Sequence, residues 1–159
     1  MGKVKAKKPV DIYEFNPEIY PRLLWVCQCS DASDMIDAFD MGATIDELNN
    51  MLEFSSATVT GVERNQDGKY GVLVFYKSKK NLTGSVIAHE AVHVADCIFA
   101  QLGMVKQDFT EKNEPYAYLV GWAAKCINQS RLPKKSKFKK QKNSKPSALR
   151  VWWKINKFI

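Results

Sequence analysis

Histidine is the scarcest residue in this chain, with two in 159 positions. No apolar run approaches the ~20 residues that cross a bilayer as a helix. The start, Met1-Gly-Lys-Val-Lys-Ala-Lys-Lys-Pro9, has no apolar stretch of the secretory kind. Nothing therefore directs the chain out of the cytoplasm. The four cysteines, Cys27, Cys29, Cys97 and Cys126, contain no Cys-x-x-Cys frame, which argues against a four-cysteine zinc ribbon. They are expected to be small buried hydrophobes in a reducing compartment, with Cys27 and Cys29 facing one side of a strand. No internal repeat is present.

Acidic residues are missing from both ends: all 17 lie between Asp11 and Glu114. Residues 9–130 combine them with nine Lys or Arg, a net charge of −8, whereas residues 131–159 hold eleven basic side chains and no acid. The overall +7 thus describes an acidic body with basic ends, which is not the profile of a uniformly basic DNA-binding domain. We divide the chain into a basic arm (1–10), a single domain (11–130) and a basic, aromatic-containing tail (131–159).

Within the domain, "VDIYEFNPEIYPRLLWVCQ" reads as two extended pieces separated by Asn16-Pro17 and Tyr20-Pro21. "DASDMIDAFDMG" reads as a short helix capped by Ser30 or Asp31 and stopped by Gly42. "ATIDELNNML" follows with Thr44 and Glu47 in capping-box spacing. "SATVTGVER" and "KYGVLVFYKS" flank the turn sequence "NQDG", a hairpin pattern. Leu82 to about Leu102 is helical, with Thr83 or Ser85 as the cap near its start and two adjacent apolar stripes that predict a central, largely buried helix ended by Gly103. A last helix runs from about Glu111 or Asn113 to Gln129, with Pro115 in its first turn. The expected fold class is α+β.

"AHEAVHVAD" holds both histidines. His89 and His93 are i and i+4 on one helical face, so their imidazoles can converge on one cation. Catalytic zinc takes three protein ligands and keeps one position for water. With no third histidine, the remaining ligand has to be a carboxylate or a thiolate. Glu114, 21 residues after His93, is the leading candidate; Glu111, Asp108 and Cys97 compete. Glu90, beside His89, is placed to accept a proton from metal-activated water. Asp96 could orient a histidine through its second nitrogen.

"HEAVH" resembles the His-Glu-x-x-His motif of zinc metallopeptidases, and "NEPYAYLVGWA" resembles the Asn-Glu segment that supplies the third ligand in gluzincins. The likeness extends to small zinc peptidases encoded by phages and bacteria, and covers about Gly71 to Gln129. It implies a zincin-like α+β fold: a small twisted sheet packed against an active-site helix and a second helix carrying the glutamate. It implies one Zn²⁺ per chain held by His89, His93 and Glu114, Glu90 as general base, and a protein or peptide substrate lying along "GVLVFYKS" as a sheet edge. For a phage-encoded chain the location becomes host cytoplasm or virion. Two features depart from the gluzincin pattern. Tyr118 stands where an acidic residue is expected, and no free histidine can stabilise the oxyanion, leaving Tyr116 or Tyr118 for that role.

Other expectations are plainer. Tyr118 and Trp122 are predicted to be core packing, and Ala117, Gly121 and Ala124 to form a small-residue strip where two helices meet. Lys134, Lys135, Lys137, Lys139, Lys140 and Lys142 are candidates for contact with nucleic acid or another anionic partner. The rival to the peptidase is a catalytically degenerate zinc-binding structural or interaction module that works through its basic ends.

Overall fold

The structure, a computed structural model, describes residues 10–108, 110 and 113–132. Most of the basic arm, most of the tail with its lysines Lys134 to Lys142, and Glu111 lie outside the described residues. The elements are β1 (Ile12–Phe15), β2 (Leu23–Gln28), β3 (Phe39–Asp40), α1 (Ile45–Phe54), β4 (Thr58–Arg64), β5 (Tyr70–Tyr76), α2 (Gly84–Gln101) and α3 (Glu114–Arg131). The class is α+β. The five strands form one mixed sheet in the order β1-β2-β5-β4-β3, with β2 and β5 parallel and the other neighbours antiparallel.

The central strands are legible in their composition. "LLWVC" and "VLVFY" are unbroken apolar runs because both faces of the sheet are covered. Leu24, Val26, Val72, Val74 and Tyr76 face α2 and α3. Trp25, Cys27, Leu73 and Phe75 face α1 and the segment before it, through Met35, Phe39, Leu48 and Leu52. Cys27 and Cys29 do share that outer side, each with its sulfur on Met35 Sδ at 3.3 and 3.6 Å.

Local signals act as expected in several places. Thr44 and Glu47 close a full capping box at α1, an arrangement in which the cap alone contributes about 1 kcal/mol. Gly68 turns the β4–β5 hairpin with φ +65, a conformation costly for residues with a Cβ. Thr83 caps α2 by accepting from the Val86 N–H, and Pro115 sits in the first turn of α3.

Three expectations fail. The segment after β2 is not a helix: it makes one 3-10 turn (Ala32–Asp34) and then β3. Side chains from elsewhere hold it open, Asn49 accepting from the Ala32 N–H and Asn65 donating to the Ile36 and Asp37 carbonyls. Met35 and Phe39 bury themselves in the outer core as a result. Second, β5 is not an edge: it lies between β2 and β4. Third, the strip Ala117-Gly121-Ala124 does not form the helix contact. Ala117 and Gly121 are exposed, and α3 packs through Tyr116, Leu119, Ala123, Cys126, Ile127 and Ser130.

Candidate functional site

α2 lies on the sheet with Ile87, Ala91, Val94 and Ile98 beneath it and α3 along one flank. It is not buried all round: Ala88, His89, Val92, His93, Asp96 and Ala100 form an open face. A helix supported on two sides carries an apolar arc wide enough to imitate complete burial.

The two histidines project on this open face at its border with β4. Their Nε2 atoms are 3.1 Å apart, and the rings meet edge to face with centroids 4.7 Å apart. At that distance two imidazoles share either one proton or one cation. Tetrahedral zinc with Zn–N bonds of about 2.0–2.1 Å places two nitrogens about 3.3 Å apart, so the pair fits that ion closely. Glu90 is next to them yet only 6% exposed, the one buried carboxylate among the described residues. Burial raises its pKa above the ordinary carboxylate range, and His89 and His93 partly offset that.

His89, Glu90, His93 and Cys97 line one side of an open cavity of about 530 Å³, whose other side is Ser55 and Ala57–Gly61. Gly61 permits the close approach of α2, because a Cβ there would come within 2.9 Å of Gln101 Nε2 and 3.5 Å of Cys97 Sγ. The strand along this cavity is half free. β3 pairs only with Glu63 and Arg64, leaving Thr58–Val62 without a neighbour on that side among the described residues. The Arg64 N–H bonds Lys69 O on the β5 side, whereas the Asn65 N–H bonds Ala38 O on the other. By alternation, Val59 and Gly61 turn their main-chain groups away from β5, to the unpaired edge. Neither Val59 nor Gly61 was picked out by sequence reasoning, although the mixed polar and apolar order of "TVTGVER" marks an outer strand.

The remaining candidates go elsewhere. Asp96 accepts a 2.7 Å hydrogen bond from the Tyr116 hydroxyl, which also reaches Val92 O at 3.4 Å. Tyr116 is thereby turned to α2's other flank, stacked edge-on against Phe99 at 5.3 Å. Glu114 is exposed and lines a different hollow, with Pro17, Ile19, Tyr20, Pro115, Tyr118, Leu119 and Trp122. Tyr118 is 74% exposed in that hollow, not core. Asp108 is exposed, with the Thr110 hydroxyl on its Oδ1 at 2.6 Å. The structure thus unites His89, His93, Glu90 and Cys97, but does not bring Glu114, Tyr116 or Tyr118 to them. Among the described residues, no cluster of three or more His, Cys, Asp or Glu is placed to hold a metal. None of the described helices is long and apolar enough to cross a membrane.

The chain matches no family model, no curated protein and no solved structure.

Proposed function

We propose that the chain is a zinc-dependent peptidase acting on extended segments of other proteins. The observation that carries this reading is the convergent pair of Nε2 atoms, 3.1 Å apart, beside the buried Glu90 carboxylate. His89 and His93 are the ligands the cavity provides. The third ligand in this reading is a carboxylate from the sequence around the start of α3, Glu111 or Glu114, of which Glu114 as folded lines the other hollow and not the histidine cavity. Zinc held there would supply Lewis acidity to a substrate carbonyl and to water. Glu90 would be the general base toward the attacking water and would hand the proton to the departing amine. Val59 and Gly61 supply the main-chain donors and acceptors on which an extended peptide adds as another strand. The lysine run from Lys134 to Lys142 attracts an anionic partner, such as nucleic acid, to the same molecule.

The decisive variant is Glu90→Gln. It should retain zinc and lose about 10²–10⁴-fold of peptide cleavage, the usual contribution of a positioned general base. Cleavage that survives this change, or wild-type protein purified without zinc, overturns the proposal. Zinc content of Glu111→Ala and Glu114→Ala then identifies the third ligand.

A further inference from the structure

The hollow beside Glu114 lies between the β1–β2 connection and the first turns of α3. It measures about 470 Å³, and its walls are Pro17, Ile19, Tyr20, Tyr118, Leu119 and Trp122. Two of these stand far into solvent, Ile19 at 78% and Tyr118 at 74% exposed. Such a concentration of exposed aliphatic and aromatic surface marks a binding surface. The hollow belongs to the flank of α3 that holds Glu114, apart from the His89–His93 cavity.

We infer that its occupant is this chain's own C-terminal segment, residues 147–159. Three observations select it. The segment "SALRVWWKINKFI" offers Trp152, Trp153, Ile155, Phe158 and Ile159, apolar side chains suited to an apolar hollow. Its charge complements the surroundings: Arg150, Lys154 and Lys157 are unaccompanied by any acid, the body from 9 to 130 carries −8, the exposed Glu114 lines the hollow, and the exposed Glu18 falls in sequence between its lining residues Pro17 and Ile19. The reach suffices as well. From Leu132 back to the level of Tyr118 is about 21 Å along α3, and the fourteen residues 133–146 extend to about 46 Å. Tethering by so short a connection gives the segment a millimolar effective concentration at the hollow, an advantage no free partner has.

The test uses the full chain with a photoreactive group in the hollow, Ile19→p-benzoylphenylalanine, at a position exposed enough to leave folding intact. Irradiation at low protein concentration, followed by mass spectrometry, should give an intramolecular cross-link to residues 147–159. The double change Trp152→Ala and Trp153→Ala should lower its yield at least about fivefold, the loss of contacts that hold the segment in place. Cross-links between two chains assign the hollow to a second copy and overturn the inference. So do cross-links formed only after anionic vesicles are added, no cross-link to the segment, or a yield unaffected by the tryptophan changes.

Discussion

The two flanks of α2 are built on different terms. Toward α3 the helix offers Ala95 and Phe99, closed over by Tyr116, Leu119 and Ala123, all of them buried. Toward β4 it offers His89, Glu90, His93 and Cys97, facing a strand whose edge is open. On the first flank, side chains are chosen for volume and satisfied contacts. On the second, a buried carboxylate and two converging imidazoles sit where packing would favour neither. Burial of a charge without a partner costs several kcal/mol in an apolar setting, so a helix selected for stability alone would carry an apolar residue at Glu90. The proposed function uses the flank with incomplete packing.

The largest effect that tests this contrast is a truncation beneath the helix. Ile98 is fully buried between α2 and the sheet, and Ile98→Ala should cost about 2–5 kcal/mol through lost transfer energy and the cavity left behind. Val92, 38% exposed on the open face, should tolerate Val92→Ser within about 0.5 kcal/mol. Urea unfolding of both variants measures this. Equal costs would mean that the open face is covered by something in solution and that the contrast is false.

A smaller effect examines whether the flanks communicate. Tyr116 donates to Asp96 across the α2–α3 contact. Tyr116→Phe should cost about 1 kcal/mol, the net value of an ordinary hydrogen bond, because water replaces the hydroxyl at the exposed Asp96. Zinc affinity should be unchanged if Asp96 serves the helix contact alone. A loss of about 10–100-fold, the usual cost of removing an outer partner of a metal ligand, would show that Asp96 orients His93 and that one flank tunes the other.

How much of this the sequence carried depends on the element. Capping at Thr44 and Thr83, the Asp67-Gly68 turn and the i, i+4 histidines are local devices, and local chemistry suffices to find them. The position of β5 was also available: a strand apolar at every residue from Val72 to Tyr76 must be covered on both faces, which suits the middle of the sheet, not a rim. Glu114 tells the same story. Tyr116, Leu119, Ala123, Cys126, Ile127 and Ser130 define one buried arc of α3, and at 100° per residue Glu114 falls roughly opposite it. The gluzincin resemblance implies Glu114 as a ligand; the periodicity of its own helix turns it away from the histidines. By contrast, nothing local foretells that Asn49 and Asn65 hold residues 32–37 out of a helix, since both partners come from distant segments.

The smallest effect concerns carboxylates that, unlike Glu90, are fully compensated. At the hairpin end, Arg64 bonds Asp67 at 2.7 Å through both Nε and Nη2, pairs with Glu14, and lies over the Trp25 ring at 5.2 Å. The Arg64 guanidinium, with help from Lys69, holds the Asp67 carboxyl well below its ordinary range. Glu14 is lowered chiefly by the Trp25 N–H and also by Arg64. A carboxylate whose pKa is lower in the folded than in the unfolded chain adds stability above its unfolded value, near 4, and loses it as pH falls through the folded value. Wild type should therefore be more stable than Asp67→Asn at pH 7, and the gap should narrow below about pH 4. Because these groups are partly exposed, the gap should also shrink in high salt. A difference that stays constant from pH 7 down to pH 2 would mean the pairing contributes nothing through charge, and that the hairpin end owes its order to the stacking of Arg64 on Trp25.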